Sequence, residues 1–287
     1  MNDKAKIQTC TLGELMIYQI ALSIEDGILA FHGFGSPLVQ LALHLAKRNH
    51  APRLVLVAGA TYGVNPMPLF LTPTSNDFAM SQGAECHLNI EELFDLAASG
   101  RMGRMFLSGL QIDKWGNMNV TRVNKNGKLT LKLPGGGGGC NLSCDTEHVT
   151  IWTAAHRSPF DDQGHRRYRL VERCDFVTSV GQRTAEGIHR SGLPLRGQGP
   201  DCLITDLGVF DFNSDGHLRL RAVYPDTSAE LVAENTGFDF PVSENLTTAD
   251  LPDVALIEFI RHMDPMKIHH RELSQTDRER TFQLNGA

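Results

Sequence analysis

The chain has 287 residues, of which 41% are hydrophobic and 21% are charged, and this mixture is too apolar for a disordered protein. Its net charge of −6 argues against a general nucleic-acid binder. The first ten residues, MNDKAKIQTC, lack the apolar core of a signal peptide, and no apolar run reaches the roughly 18–20 residues that span a membrane. We therefore expect a cytoplasmic protein with reduced cysteines, which binds neither nucleic acid nor membrane.

Helices and strands alternate in the first part of the chain. Thr11 and Glu14 have the spacing of a capping box, and Ser36 followed by Pro37 is typical of a helix start. This alternation predicts an open, mostly parallel α/β sheet, flanked by helices, whose ligands bind beyond the carboxyl ends of the strands. The predicted elements are helix 11–26, strand 28–31, helix 36–48, strand 54–57, helix 90–99 and strand 105–108.

Short strands and turns dominate the rest of the chain. The Asn126-Gly127 pair predicts an additional β-hairpin. Predicted strands cover 111–114, 118–123, 129–133, 149–153, 176–180, 202–205, 209–212 and 218–223, and a helix covers 252–262. Because no linker divides the sequence, we predict a single domain over residues 1–265. The charged tail, residues 266–287, is expected to fray, beginning near Asp264.

Two glycine-rich segments are candidates for ligand contact. Gly33-x-Gly35, between a strand and a helix, matches half of a dinucleotide fingerprint, but position 38 is Leu and no acidic residue ends the next strand. An anion held by the following helix and a simple tight turn are both consistent with it. The run Gly135–Gly139 favours backbone contact with a ligand over a flexible connector, because ordering five glycines costs considerable entropy.

Other motifs carry weaker signals. Cys140, Cys144 and His148 are metal-ligand types, but no second pair completes a zinc site, and buried structural cysteines are far more common. The basic run 165–169 is typical of a solvated face, although it suits phosphate as well. A G-x-S-x-G motif is absent, so the sequence does not indicate an ordinary serine hydrolase.

Several segments together resemble the β subunit of family I CoA-transferases, most closely the glutaconate CoA-transferase group. Residues 33–38, GFGSPL, resemble the family's G-x-G-x-P-L loop, and residues 109–119, GLQIDKWGNMN, resemble its G-x-Q-[IV]-D-x-[YW]-G-N-x-N pattern. The glycine run falls on the family's G-x-G-G loop beside the acyl-CoA. Residues 205–210, TDLGVF, look like its T-D-x-G hairpin, and 224–239 resemble a further block.

The resemblance implies a fold, a substrate and a partner. It implies the open α/β sheet of the family, with an active site at an interface with an α subunit, in a heteromer of two α and two β chains (α2β2). A coenzyme A thioester would be the substrate, with no bound cofactor or metal. The implied acyl-CoA-binding residues are Gly33, Phe34, Gly35, Gly59, Tyr62, Gln111, Asn117, Gly136, Gly137, Gly138 and Gly139.

One departure from the family pattern concerns its nucleophile. Transferases of the family carry a glutamate in an E-[SN]-G motif, which attacks the thioester and forms a glutamyl-CoA intermediate. Here the motif position is occupied by Ala58, and no acidic residue lies between Ala51 and Pro73. Relatives without this glutamate include acyl-CoA hydrolases that cleave a carbon–carbon bond and acyl-CoA decarboxylases.

We therefore expect a CoA-transferase-like subunit that acts on an acyl-CoA as a hydrolase or lyase. Backbone donors of such a site would stabilise an enolate-like charge, and its acid–base group could come from the partner subunit. A true transferase with its nucleophile elsewhere and a catalytically silent scaffold for the α subunit are the alternatives. A lone nicotinamide-dependent dehydrogenase is disfavoured by the missing third glycine.

Overall fold

The computed structural model describes residues 7–125 and 128–284. The helices are α1 (Leu12–Leu22), α2 (Pro37–Asn49), α3 (Ile90–Ala98), α4 (Gly139–Asp145), α5 (Ala229–Glu234), α6 (Val254–Met263) and α7 (Gln275–Glu279), with 3-10 turns at Phe78–Ser81, Arg190–Gly192 and Ile268–Glu272. The strands are β1 (Thr9–Thr11), β2 (Leu29–His32), β3 (Val55–Val57), β4 (Gly63–Val64), β5 (Cys86–His87), β6 (Arg104–Leu107), β7 (Gln111–Asp113), β8 (Met118–Asn119), β9 (Arg122–Lys125), β10 (Lys128–Lys132), β11 (His148–Thr153), β12 (Leu170–Val171), β13 (Gly199–Thr205), β14 (Gly208–Phe212), β15 (Leu218–Val223), β16 (Thr236–Gly237), β17 (Val242–Thr248) and β18 (Thr281–Gln283).

A ten-stranded sheet forms the centre of the molecule. Its order is β17-β15-β14-β13-β11-β6-β2-β3-β4-β5. The five central strands, from β13 to β3, are parallel, whereas β14, β4 and β5 join through antiparallel pairs. The prediction of an open, mostly parallel sheet flanked by helices is confirmed.

Neighbouring residues of the central strands point to opposite faces of the sheet, as the pleat requires. Ala30 and Leu56 pack in the core that contains α1, α2 and α6. Phe31 and Val57, one position further along, pack in the second core, against α3 and α4. Both faces of the parallel strands are therefore buried, which explains why these strands are apolar throughout.

The predicted capping box begins α1. Thr11 Oγ1 accepts a hydrogen bond from the N–H of Glu14 (3.3 Å), and Glu14 Oε2 accepts one from the N–H of Thr11 (2.8 Å). Ser36 also precedes its helix as expected, with Pro37 in the first turn, but its side chain makes no capping hydrogen bond to any described residue. Instead, the N–H of Leu38 donates to a carboxylate from the C-terminal segment, that of Glu272 (2.9 Å).

The middle of the chain forms a second, four-stranded sheet of order β16-β12-β7-β8 and a separate hairpin of β9 and β10. Asn126 and Gly127, which predicted this hairpin, lie outside the described residues. The predicted strand 176–180 is wrong, since only Ser179 pairs, in an isolated bridge to Met118.

The C-terminal segment is folded rather than frayed over residues 264–284. Asp264 accepts hydrogen bonds from the N–H groups of Ile268 (2.7 Å) and His269 (3.0 Å). Further on, β18 pairs with β1, with Phe282 opposite Cys10. The expected fraying is wrong because buried apolar side chains recur along this charged stretch; they are Ile268, Leu273 and Phe282. Asn285, Gly286 and Ala287 lie outside the described residues.

None of the described helices has the length and apolarity that crossing a membrane requires.

Candidate active site

A cavity of about 890 Å³ opens beyond the carboxyl ends of the central strands β2, β6 and β11. The loop after β2 contributes Gly33 and Phe34, and the loop after β6 contributes Ser108 and Gly109. The residues after β11 contribute Ala154 and its neighbour. The cavity thus occupies the place where open α/β sheets usually bind ligands.

Apolar side chains line most of the cavity. They are Phe31, Phe34, Ile90, Leu93, Phe94, Met105, Phe106, Leu107, Leu110, Val120, Leu133, Leu142 and Trp152. Among the described residues that line it, Arg169 and Glu272 are the charged types. Arg169 Nη1 donates to the carbonyl of Leu110 (2.9 Å), and burial lowers the pKa of its guanidinium. An acyl chain would therefore meet apolar walls with one cation and one carboxyl group.

The glycine run is a packed wall of this cavity. Gly135 and Gly137 have positive φ angles of 93° and 50°, which side chains rarely adopt. A Cβ on Gly138 would stand 2.6 Å from Phe94 Cζ of α3, although the backbone there has an ordinary φ of −78°. The carbonyl of Val120 accepts a hydrogen bond from Gly135 (2.8 Å). Because these glycines lack side chains, the backbone of residues 135–139 packs closely against its neighbours and itself forms part of the cavity wall.

His32 joins the two loops that follow β2 and β3. Its Nδ1 lies 2.9 Å from the carbonyl of Gly33, and its Nε2 accepts a hydrogen bond from the N–H of Gly59 (3.0 Å). Burial lowers the pKa of His32 to about 4, so the imidazole is neutral at pH 7. A Cβ on Gly59 would stand 2.6 Å from the carbonyl oxygen of Gly33, so the loops touch backbone to backbone.

Ala58 stands in a tight turn between β3 and β4. Its N–H donates to Gly63 and its carbonyl accepts from Tyr62, both at 2.9 Å. Ala58 is only 5% exposed, whereas Tyr62, held at a φ of 53°, lines the cavity. At the position that the resemblance assigns to the family's nucleophile, the turn therefore presents a buried methyl group.

The structure brings together seven of the eleven residues expected to contact acyl-CoA. These seven line the cavity: Gly33, Phe34, Tyr62, Gly136, Gly137, Gly138 and Gly139. Gly35 lies instead in a neighbouring cavity of about 300 Å³, which shares Glu272. Gly59 does not line the cavity but lies behind Gly33, where it fixes the loop.

Gln111 and Asn117 lie away from the cavity, in the second sheet. Asn117 is fully buried, and its Nδ2 donates to both oxygens of Asp113 (3.1 and 2.9 Å). Gln111 Oε1 accepts from Asn119 (2.7 Å), and its Nε2 donates to Asp175 (3.1 Å). Burial raises the pKa of Asp113 to about 6. These side chains hold the turn and the second sheet together.

Two residues that line the cavity are not predicted from the sequence. Arg169 belongs to a basic run that is typical of a solvated face, but it is half-buried and faces the cavity. Glu272 belongs to the tail that is expected to fray, yet burial raises the pKa of its carboxyl to about 8. The recurrence of apolar residues at 268, 273 and 282 is the sequence signal that this segment packs.

The expected lack of a zinc site from Cys140, Cys144 and His148 stays a prediction. In the described part of the chain, His148 instead lies with Glu25 and Asp201 in a group that has the donor types of a metal site. Arg104, 1% exposed, already fills this group, because its guanidinium donates to all four oxygens of the two carboxylates at 2.6–3.0 Å.

No family model matches the chain. The β subunit of the 3-oxoadipate CoA-transferase of Pseudomonas knackmussii is 28% identical over 256 residues, which cover 88% of this chain and 92% of the relative. The β subunit of the glutaconate CoA-transferase of Acidaminococcus fermentans is 28% identical over 260 residues, with the same coverage of 88% and 92%. The chain is thus similar, over most of its length, to the β subunits of family I CoA-transferases. The resemblance drawn from residues 33–38 and 109–119 is thereby confirmed.

A solved structure relates this CoA-transferase homologue to a second type of enzyme. The decarboxylase AibA/AibB superposes with a TM-score of 0.75 and 29% sequence identity, over 92% of this chain and 98% of the other. The family fold that surrounds the cavity is therefore common to transferases and to a decarboxylase.

Proposed function

We propose that this chain is the β subunit of a heteromer that binds an acyl-CoA thioester in the 890 Å³ cavity and acts on it as a hydrolase or lyase. The observation that carries the proposal is the buried methyl group of Ala58, at the position that the resemblance assigns to the nucleophilic glutamate of the family's transferases. Without a carboxylate there, the acyl group has no place to exchange through an enzyme-bound anhydride.

The cavity suits a thioester. Its apolar walls would hold the acyl chain, and Arg169 offers a positive charge for a carboxylate or phosphate of the ligand. Gly136–Gly139 and Gly33 expose backbone at its wall, where N–H groups can stabilise an enolate-like oxygen. We propose Gly33, Phe34, Tyr62 and Gly136–Gly139 as the contact residues, and Gly35, Gly59, Gln111 and Asn117 as residues that support the loops.

An α subunit is proposed as the partner, in the α2β2 arrangement. Two relatives of this chain are β subunits of CoA-transferases, and the decarboxylase structure is of an AibA/AibB pair. Large apolar side chains in the cavity wall and in the segment 67–78 are exposed on the isolated chain and would be buried by such a partner. They are Phe34, Met67, Leu69, Phe70 and Phe78.

A true transferase is the second candidate function. Two relatives are CoA-transferases by name, and Glu272 is a carboxyl group in the cavity wall. This candidate requires Glu272 to form the covalent thioester, because Ala58 has no carboxylate with which to form it.

Trapping of the covalent intermediate tests the proposal. The chain, co-expressed with its α subunit, is incubated with glutaconyl-CoA and with 3-oxoadipyl-CoA, and hydroxylamine is then added. We expect the complex to consume a thioester while peptide mass mapping finds no hydroxamate on any carboxylate of this chain. The Acidaminococcus glutaconate CoA-transferase, treated in parallel, is the positive control. A hydroxamate mapped to Glu272 would establish the transferase instead.

A further inference from the structure

Glu272 lies at the point where the C-terminal segment meets the cavity. It ends the 3-10 turn Ile268–Glu272, which packs against α2. The residue lines both the 890 Å³ cavity and the neighbouring 300 Å³ cavity beside Gly35. Among the described residues that line the main cavity, it is the one carboxyl group.

The turn that carries Glu272 is firmly anchored. Asp264 Oδ2 lies 2.6 Å from His269 Nδ1, and this carboxylate also accepts two backbone N–H groups of the turn. Leu273, the next residue, is buried at 4% exposure, and Arg271 donates to the carbonyl of Pro73 (2.5 Å). The carboxyl group of Glu272 is therefore held in place rather than free to swing, as a group positioned for reaction must be.

The two oxygens of Glu272 have different surroundings. Oε2 accepts the N–H of Leu38 at the first turn of α2 (2.9 Å). Within residues 7–125 and 128–284, no donor lies within hydrogen-bond distance of Oε1. Burial raises the pKa of this carboxyl to about 8, although the N–H of Leu38 favours the charged form. At neutral pH the group therefore carries a proton that it can give to a ligand.

We propose that Glu272 donates a proton to the carbanionic carbon of the enolate that forms from the thioester bound in the cavity, an inference that rests on the function proposed above. Both candidate reactions break a carbon–carbon bond whose electron pair can reach the thioester carbonyl. In 3-oxoadipyl-CoA it is the bond between the α and β carbons. In glutaconyl-CoA it is the bond between the γ carbon and the carboxylate, which is conjugated to the carbonyl through the double bond. The electron pair of that bond moves into the thioester carbonyl and gives an enolate. The enolate then takes the proton from the Glu272 carboxyl, which becomes a carboxylate.

The proton balance closes for both reactions. In a decarboxylation, the carboxylate of the substrate leaves as carbon dioxide, and Glu272 regains its proton from solvent. In a hydrolytic cleavage, the oxygen and one hydrogen of water complete the new carboxylic acid. The second hydrogen of that water restores Glu272. No oxidant, metal or further reactant enters either sequence.

The test uses the complex with the α subunit and the thioester, glutaconyl-CoA or 3-oxoadipyl-CoA, that it converts faster. Glu272→Gln keeps the shape and the acceptor for Leu38 but removes the acidic proton, and we expect kcat to fall about 100-fold or more. KM should change less than about threefold, because binding contacts remain. Glu279→Gln, an exposed carboxylate on α7, is the matched control and should retain full kcat.

A pH profile distinguishes proton donation from a structural role. Wild-type kcat should fall above pH 8, where Glu272 ionises, and the residual rate of Glu272→Gln should not share this limb. The other charged or titratable groups around Glu272 are Arg169 and Tyr62 across the cavity and His269, His270 and Arg271 on its own turn. The 72–75 loop and the first turn of α2 contribute none.

Each result decides one question. A wild-type complex that converts neither thioester would overturn the proposed function and this inference with it. A wild-type complex that is active while Glu272→Gln retains a third or more of its kcat would overturn the role of Glu272 alone, as would a hydroxamate mapped to it. If Glu272→Gln does not assemble with the α subunit, Glu272→Asp is tested in its place. Its shorter side chain should lower kcat at least about tenfold, and an unchanged kcat would refute the proposal.

Discussion

His32 Nε2 accepts the backbone N–H of Gly59 at 3.0 Å, and this bond ties together the loops after two adjacent parallel strands, β2 and β3. The other ring nitrogen of His32 lies 2.9 Å from the carbonyl of Gly33. One neutral imidazole thus fixes both the cavity wall at Gly33 and the turn that contains Ala58. The turn and the wall should therefore respond together to any change at His32.

Replacement of His32 by Ala should destabilise the protein. The N–H of Gly59 and the carbonyl of Gly33 would lose their partner in a buried place, at a cost of about 1–3 kcal/mol for each unsatisfied group. Denaturant unfolding measures this loss. His87→Ala, at an exposed histidine, is the matched control and should stay within about 0.5 kcal/mol. Equal stability of the two variants would contradict the bridging role of His32.

Substitution of Gly138 should act through Phe94. In Gly138→Ala the new methyl group would stand 2.6 Å from Phe94 Cζ, so the Phe94 ring or the glycine run must move, and both line the cavity. We expect affinity for acyl-CoA, measured by calorimetry, to fall about tenfold. Phe94→Leu alone should have a smaller effect, and in the double variant it should restore part of the lost affinity.

The matched control for this cycle is Gly192→Ala, where the nearest atom to the added Cβ is Ile188 Cγ2 at 3.7 Å, an ordinary contact. That variant should bind acyl-CoA like the wild type. Additive effects of Gly138→Ala and Phe94→Leu would indicate that the glycine run does not depend on α3 for its position.

Arg104 should be important for stability although it lies outside the cavity. This buried guanidinium is hydrogen-bonded to Glu25, Asp201 and Thr150, so it links β6 to β13 across β11 and to the residues after α1. Arg104→Met leaves two partly exposed carboxylates, 51% and 34% exposed, without their cation and should cost about 1–3 kcal/mol in unfolding experiments. Arg53→Met is the control, because Arg53 pairs with Asp26 while 78% exposed. It should cost less than about 1 kcal/mol.

Local sequence signals are sufficient for the five parallel strands of the central sheet, whereas β4, β5 and β17 are not predicted from the sequence. The apolar runs near residues 29–32 and 55–57, the capping box of Thr11 and the helix start at Pro37 each depend on neighbours within a few residues. Their alternation predicts the parallel sheet correctly. The glycine run also depends on a local property, because its backbone geometry requires glycine. This run lies in the cavity wall.

The residues whose positions are not predicted correctly from the sequence are positioned by long-range packing. Glu272 enters the cavity because its turn packs on α2, whose first turn is more than 230 positions earlier in the sequence. The hydrophobic periodicity of a charged segment carries no information about a contact with so distant a part of the chain. Asn117 shows the converse, since its motif matches the family, but its side chain is fully buried on Asp113 rather than directed at the cavity. Motif membership therefore identifies the family correctly without separating contact residues from supporting ones.

The half-buried carboxyl of Glu272 should make the stability of the protein depend on pH in a defined direction. Its pKa is raised from 4.5 to about 8 in the folded chain, so between these values the folded state holds a proton that the unfolded state has released. The stabilisation is therefore complete below about pH 4.5 and is lost as the pH rises towards 8. The loss should approach about 1.4 kcal/mol per pH unit within that window.

Glu272→Gln isolates this effect, because a neutral glutamine does not titrate. The other buried titratable groups, such as His32 and Asp113, are common to both proteins and cancel in the difference. Unfolding free energies of wild type and variant are measured by guanidinium titration from pH 5 to 8. The value for the wild type minus that for the variant should fall steadily as the pH rises. A difference that stays constant over this range would mean that the carboxyl of Glu272 ionises in the folded protein with an ordinary pKa. It would then hold no proton at neutral pH, and the proton-donor role would fail with it.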